Sequence, residues 1–537
     1  MTPTSDERSA SEREVPPAGE PGAPSGEAGV AGAPPGEPGA GGAPALALRG
    51  VTKRFGSLLA NDDVSLTVAS GEIHALLGEN GAGKTTLMNI VFGLLSADSG
   101  EVSLGGRPAA IKGPRDAIAL GIGMVHQHFK LVPDMSVAEN LALASGATGL
   151  GRLRLDDIRQ RARSLSERFG LDVHADRSVE TLSVGEQQRV EILKLLHRGA
   201  HVLILDEPTA VLTPAEWRQL AEVLRSLAAD GHAIVFITHK LDEVFEIASR
   251  CTVLRDGRVV GTGSTAETSK EELARLMVGR EVALRVQREV LAPGPPVLEV
   301  EGLRAEEEGR ELLCGLSFTV RAGEVFAVAG VEGNGQTELV EVLSGTRQPS
   351  AGRIELERGA YGVVPEDRQR TALALDLPVA DNLMMKDFGR APFARRGLLS
   401  HRRARARCER LLGEFDIRAP GIGTPTRALS GGNQQKVVLA RELDGDRRLL
   451  IAAQPTRGLD VGAMEFVYAR LAEFKRGGGG ILLISSELDE ILSIADRIAV
   501  MVSGTFVDVV DADAVDPEAL GLMMGGRRRE VAAGSAA

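Results

Sequence analysis

The sequence predicts an α/β protein made of two tandem copies of one parallel-sheet domain. Three observations predict it. Long runs recur about half a chain apart: Asp63–Gly78 returns as Gly315–Gly330, Leu182–Gln188 as Leu429–Gln435, and Leu241–Glu243 as Leu488–Glu490, at offsets of 252, 247 and 247. A period this long marks duplicated domains, not a solenoid. In each copy an apolar strand runs into a glycine-rich loop and then a helical pattern. Further strands and helices alternate after it, the order of a parallel sheet.

The first element is a tail. Residues 1–44 are mainly Pro, Gly, Ala, Ser and Glu, without an aromatic residue. Such a stretch cannot bury enough apolar surface to offset its chain entropy, so disorder is expected. The first domain is expected over 45–287. The run Leu291-Ala-Pro-Gly-Pro-Pro296 reads as part of a linker spanning 288–296. The second domain is expected over 297–525, with a flexible tail over 526–537.

Composition narrows the function classes. The 537 residues are 43% hydrophobic and 25% charged, ordinary for a globular chain. A net charge of −12 argues against nucleic acid as a partner. No secretory leader is read at the N-terminus. No apolar run approaches the roughly 20 residues of a membrane span. Work at a membrane would therefore need another subunit. Cys251, Cys314 and Cys408 are far apart, which reads as separate thiols in a reducing compartment.

The chemistry is concentrated in the first half. Gly78-Glu-Asn80-Gly81-Ala-Gly83-Lys84-Thr85-Thr86 matches G-x-x-x-x-G-K-[ST] between a strand and a helix. Its glycines let backbone N–H groups turn onto phosphate oxygens, and the helix N-terminus adds a positive dipole end. Lys84 would reach the β/γ-phosphates and Thr85 would ligate Mg²⁺. The strand Val202–Leu205 ends in Asp206 and Glu207. Asp206 would hold Mg²⁺ through water, and Glu207 would polarise the attacking water as general base.

With these residues in place, the chain resembles the ABC ATPases from about residue 45 to 525. The resemblance implies two tandem P-loop NTPase cassettes, each with a mainly parallel core sheet, an antiparallel β subdomain and a helical subdomain. It also implies ATP hydrolysis with Mg²⁺. Gln127 in His126-Gln-His128 stands at the Q-loop position, as a catalytic and metal-sensing residue. Leu182-Ser183-Val-Gly185-Glu-Gln187 stands as the signature, and His239 as the switch histidine at the γ-phosphate. Phe55 falls where the family stacks adenine; core packing is the other reading of it.

The second half keeps the frame and changes the chemistry. Its loop reads Gly330-Val-Glu-Gly333-Asn-Gly335-Gln336-Thr337, with Gln336 in place of the lysine. Ala453 and Gln454 replace the acid pair, Glu366 stands near the Q-loop position, and Ser486 replaces the switch histidine. The signatures show the reverse asymmetry. Leu429-Ser430-Gly431-Gly432-Asn-Gln434 keeps both glycines, whereas the first signature has Val184. Family cassettes pack head to tail, so the intact P-loop would face Ser430, Gly431, Gly432 and Gln434, with Asp460 as a D-loop acid. Thr213 occupies the matching place in the first half. The altered P-loop would face Ser183 and Gly185. The defects would then fall in one site, and the other would hydrolyse ATP. Pairing within one chain or between two copies stays open at this point.

Within the family, the motifs resemble fused ATPase subunits of bacterial importers for simple sugars and nucleosides. They include Val364-Pro-Glu-Asp-Arg368 and Ala453-Gln-Pro-Thr-Arg-Gly-Leu-Asp460. The runs Met124–Pro133 and Leu182–Leu193 lean towards nucleosides. The resemblance implies two transmembrane permease subunits, a substrate-binding lipoprotein and a place on the cytoplasmic face of the membrane. The segments Phe129–Asn140 and Arg368–Asn382 would receive permease coupling helices; a helix-start cap is the other reading of their Val-Ala-acid-Asn runs. A soluble tandem factor acting on ribosomes and an exporter ATPase are the alternatives.

Overall fold

The computed structural model describes residues 43–526 apart from 57, 127–128, 146–153, 210–211, 213, 282–287, 357–359 and 397. Nearly all of the two expected tails therefore lies outside the described residues, as do Gln127 and Thr213.

Each half is centred on a six-stranded sheet, and the two sheets have the same order. In the first it runs Arg258–Ser264, Arg250–Arg255, Ile73–Leu77, Ala233–Ile237, Val202–Asp206, Ile122–Val125. In the second it runs Thr505–Asp511, Arg497–Val502, Val325–Ala329, Gly480–Ser485, Leu449–Ala453, Tyr361–Val364. All neighbours are parallel except the edge pair Arg250–Arg255/Arg258–Ser264 and its counterpart Arg497–Val502/Thr505–Asp511.

The central strands are apolar because both faces are covered, and Ile73–Leu77, Val202–Asp206 and Ala233–Ile237 are buried at every residue. Alternate side chains serve different cores. Ile73, Ala75 and Leu77 join one cluster, while Leu76 joins another beneath an antiparallel sheet. The second half repeats this with Val325, Ala327 and Ala329 on one face and Phe326 and Val328 on the other. The antiparallel sheets are Leu58–Val68, Leu46–Phe55, Ser99–Leu104, Arg107–Pro108 and Arg310–Arg321, Pro296–Glu307, Ala351–Leu356. Helices such as Leu155–Phe169 and His401–Glu414 complete each half.

The stretch expected to be a linker is docked on the second half. Arg288 donates to the Ala495 carbonyl at 2.9 Å, Lys475 to the Glu289 carbonyl at 2.6 Å, and Gly294 N–H to the Ala322 carbonyl at 2.8 Å. The two halves also share a core. Val461, at the start of the helix Val461–Arg476, is 5% exposed within the first half's apolar cluster. Arg280 and Glu465 pair at 2.6 Å beside it.

The Val-Ala-acid-Asn runs serve as local braces. Ser136 and Glu139 form a reciprocal capping box on Val137–Ala144. Asn140 and Asn382 are buried and hold the carbonyls of Val132 and Ala374 at 3.1 and 2.9 Å. Cys251 and Cys408 are buried, Cys314 is half-buried, and all three are free.

Candidate functional site

The first phosphate loop joins the strand Ile73–Leu77 to the helix Lys84–Val91. Gly83 caps that helix at φ 98°, where a Cβ would come within 2.3 Å of the Ala60 carbonyl. Only glycine fits there. Lys84 is 6% exposed and donates to the carbonyls of Gly78 and Glu79 at 2.7 and 2.9 Å, lying across the loop. Burial lowers its pKa; Glu207, Asp206 and Asp460 oppose that shift. Gly81 has open space around its Cβ position, and Thr86 is half-buried in the helix.

The acid pair sits at the end of Val202–Asp206. Burial, and then the neighbouring Glu207, push Asp206 up to about 6, against a hydrogen bond from the Thr85 hydroxyl. Glu207 goes the other way. His239 Nδ1 lies 3.1 Å from Glu207 Oε1, and this contact holds the Glu207 carboxyl below its usual range. A proton taken up by the pair therefore goes to Asp206 before Glu207, which leaves Glu207 the more readily ionised of the two, as a base requires. The backbone at Glu207 is left-handed, φ 47°, an unusual state for a non-glycine residue.

This donor set fits a divalent cation. Thr85 and Asp206 offer hard oxygens, and the buried Asp206 and half-buried Glu207 carboxylates act on one buried ammonium. Among the described residues no three His, Cys, Asp or Glu side chains converge on one point. A Mg²⁺ here would take its other ligands from phosphate and water. Phe55 is 43% exposed at the end of its strand, with Lys53 Nζ 5.6 Å from the ring centroid. The ring is therefore not in the core.

The second half reaches into this site. Asn80 N–H donates to Asp460 Oδ2 at 3.2 Å, and Asn80 Nδ2 to the Gly458 carbonyl at 3.4 Å. Glu79 accepts from Gly462 N–H; burial and Asp460 raise its pKa. A Cβ on Gly462 would lie 2.4 Å from Glu79 Oε1, so a larger residue there would displace the Glu79 carboxylate. Lys240, after His239, faces Glu487, after Ser486, at 3.8 Å. The cassettes thus meet within one chain at the P-loop and D-loop.

Ser430 caps the helix Gly431–Leu443, accepting from Asn433 N–H. Gly432 lies against Ala463, the third residue of the helix that Asp460 caps. Gln434 differs from the rest of the expected nucleotide contacts. It is 3% exposed, and its amide donates to the carbonyls of Thr426 and Leu429 at 3.3 and 3.2 Å. Its side chain braces the loop before the signature.

The second site is internally satisfied. Gln336 Oε1 accepts from Asn334 N–H at 3.1 Å, and Nε2 donates to the Val331 carbonyl at 3.0 Å. The amide thus consumes an N–H of the loop that would otherwise turn to phosphate. A Cβ on Gly330 would strike Gln336 Nε2 at 2.3 Å. Gly333 and Gly335 keep the φ values of Gly81 and Gly83, 86° and 109° against 87° and 98°. Arg457 bridges Glu332, at 3.0 Å, and Glu366. Glu332, Gln336, Thr337, Glu366, Gln454 and Ser486 line a cavity of about 960 Å³. The first signature is engaged as well. Ser183 Oγ and Gly185 N–H both donate to Glu216 Oε1, at 3.1 and 3.2 Å. A carboxylate of the chain thus occupies the donors of the altered signature.

Three acids escaped the sequence reading. Glu216 and Glu79 act through tertiary approach. Glu243 is buried and accepts from Thr238, next to His239, at 2.7 Å, and from Thr209, two residues past Glu207. It ties the base segment to the switch segment. The only sequence trace of this was the recurrence of Leu-Asp-Glu in both halves, where Glu490 accepts from Thr456 at 2.6 Å.

Comparisons agree with this geometry. The ABC transporter family profile matches residues 61–210 and 313–457. A nucleoside import ATP-binding protein of Lactococcus lactis is 45% identical over 89% of this chain and 97% of its own. A guanosine import ATP-binding protein of Bacillus subtilis is 43% identical over 91% and 98%. A glucose import ATP-binding protein of Haloferax volcanii is 44% identical over 90% and 96%. With both halves matched, and relatives this similar along nearly their whole length, the chain belongs to the ABC transporter family, as an ATP-binding subunit carrying two cassettes.

Proposed function

We propose that this chain is the ATPase of a bacterial importer and that it works with one hydrolytic site. The observation that carries the reading is the contact of Asn80 with Asp460, which brings the second half's D-loop to the first half's P-loop in one chain. In this reading Lys84 and the loop N–H groups bind the β/γ-phosphates, and Phe55 stacks on the base. Thr85, Asp206 and Gln127 would hold a Mg²⁺ ion, which would neutralise phosphate charge. Glu207 takes the proton of the attacking water, and His239 orients it towards the γ-phosphate. Ser430, Gly431 and Gly432 close the site from the other half.

The second site has Gln336, Gln454 and Ser486 where the first has the loop lysine, the glutamate base and the switch histidine. Hydrolysis there would forgo roughly 10²–10⁴-fold from the missing base alone. Partners in this reading are two permease subunits and a substrate-binding lipoprotein, and the chain sits on the cytoplasmic face of the membrane. Among the described residues no helix is long and apolar enough to cross a membrane, so attachment through permeases is consistent with the fold.

Cargo is a nucleoside in preference to a simple sugar. The support is that the Lactococcus and Bacillus relatives are nucleoside and guanosine import proteins, together with the two first-half runs. Steady-state ATPase assays test the site: Glu207→Gln is expected to bind ATP and lose turnover, and Gln454→Ala to keep it. Equal losses would overturn the one-site reading. Uptake of labelled guanosine and ribose by cells lacking this chain tests the cargo, with loss of guanosine uptake expected.

A further inference from the structure

Between Met384 and the helix His401–Glu414 lies a short hairpin, Ala394–Arg395 paired with Leu398–Leu399. Residues 386–410 carry nine Lys or Arg against two Asp or Glu, a net +7 in a chain of net −12. Several of the basic residues are paired: Lys386 with Glu442, Arg405 with Glu409, and Arg410 with Glu414 and Asp444. Arg407 is buried: it pairs with Asp387 at 2.8 Å and Asp444 at 2.6 Å, and its guanidinium lies 5.0 Å from the Phe393 ring centroid. Arg403 donates to the Pro392 carbonyl at 3.0 Å, and Ser400 N–H to the Phe393 carbonyl at 2.7 Å. These contacts fix the base of the hairpin on the helix. Arg395, Arg396 and Arg402 are exposed, and no ion pair is formed by them among the described residues.

The hairpin also exposes apolar side chains: Leu398 is 78% exposed and Leu399 40%. Arg395 and Leu398 are direct cross-strand partners, so cation and aliphatic tip are presented side by side. A hairpin held rigidly at its base has no folding reason to expose Leu398. Unpaired guanidinium groups around an aliphatic tip match an anionic bilayer surface. The cations meet headgroup phosphates and the leucines enter the acyl boundary. An RNA site would set stacking aromatics beside its cations, and the hairpin tip offers leucines instead.

We propose that this hairpin and the start of the following helix form an anionic-phospholipid contact, a second hold on the membrane that does not depend on permease docking or on the cargo. The test is sedimentation of the full purified chain with vesicles, either of phosphatidylcholine alone or of phosphatidylcholine mixed with phosphatidylglycerol. Binding is expected only to the mixed vesicles, falling as salt is raised. Arg395→Glu with Arg402→Glu is expected to weaken it on the order of tenfold or more. Leu398→Ser is expected to weaken it while leaving the salt dependence in place. Basal ATPase activity should be unchanged in both variants, which shows that they are folded. Equal binding to both vesicle types, unaltered binding by the charge-reversed variant, or retention of RNA with no vesicle binding would each overturn the proposal. None of these outcomes bears on the one-site ATPase reading, which the assays of Glu207→Gln test separately.

Discussion

Asn80 in the first phosphate loop and Asp460 in the second half, 380 residues apart, share a hydrogen bond of 3.2 Å. The same carboxylate caps the helix Val461–Arg476 by accepting from Ala463 N–H at 2.9 Å. One side chain therefore fixes both the D-loop and its seat on the P-loop. Asp460→Ala is expected to lower kcat about tenfold, since a hydrogen bond to a charged group contributes roughly 1.5–3 kcal/mol. Lost capping should also lower stability by about 1 kcal/mol. ATPase kinetics and thermal unfolding on the same sample check both effects. Unchanged kcat with lowered stability would leave Asp460 a cap alone.

The two signatures should respond unequally. Ser183 is already engaged by Glu216, whereas Ser430 Oγ meets only groups of its own turn among the contacts described. Ser430→Ala is expected to slow turnover several-fold or more, at about 1 kcal/mol or above per lost hydrogen bond. Ser183→Ala and Glu216→Gln should leave turnover near its starting value. The reverse ranking in an ATPase assay would contradict the assignment of Ser430 to the working site.

Stability should carry a pH signature from Glu490. Burial raises this carboxyl to about 7, against hydrogen bonds from Ser485 and Thr456. An unfolded chain would release this proton near 4.5. The folded state therefore holds a proton that the unfolded state has lost. Its contribution is full below about pH 4.5 and is lost as pH rises through 7, a difference of roughly 3 kcal/mol. Glu490→Gln keeps the hydrogen-bonded shape without the titration. Relative to the starting protein, the variant should gain melting temperature at pH 8 and gain little at pH 5. A constant difference at both values would dismiss the raised pKa.

Backbone strain at Gln454 gives a fourth test. Its φ of 46° matches the 47° of Glu207 at the same place in the repeat. Left-handed backbone costs an ordinary residue of order 1 kcal/mol, and glycine is largely exempt. Gln454→Gly should therefore raise stability by up to about 1 kcal/mol without changing turnover. Chemical denaturation beside the ATPase assay reads both quantities. A loss of stability would mean that the Gln454 side chain contributes more than its strained backbone costs.

The sequence made much of this site legible, because a strand–loop–helix with Lys84 and Thr85, followed by Asp206–Glu207, is local in the chain. The repeat also exposed Gln336, Gln454 and Ser486 as departures. What stayed hidden depends on chain segments that meet only after folding. Glu216 reaches Ser183 across 33 residues, and Arg457 reaches Glu366 across 91. The pairing of both cassettes in one chain was open until Asp460 was seen against Asn80. Gln434 lies in the signature run, but the burial that turns it inward belongs to the loop at Thr426. The left-handed turn at Glu207 leaves no trace in residue type, since glutamate does not favour it.

That shared turn has a consequence for how the two halves came to differ. Gln454 keeps the backbone geometry of Glu207, with its N–H on the Ile484 carbonyl at 2.7 Å as Glu207 N–H is on the Ile237 carbonyl at 3.0 Å. The second cassette therefore differs from the first in side chains and not in the turn that carries them, so Gln454→Glu would place a carboxylate on the same backbone frame as Glu207.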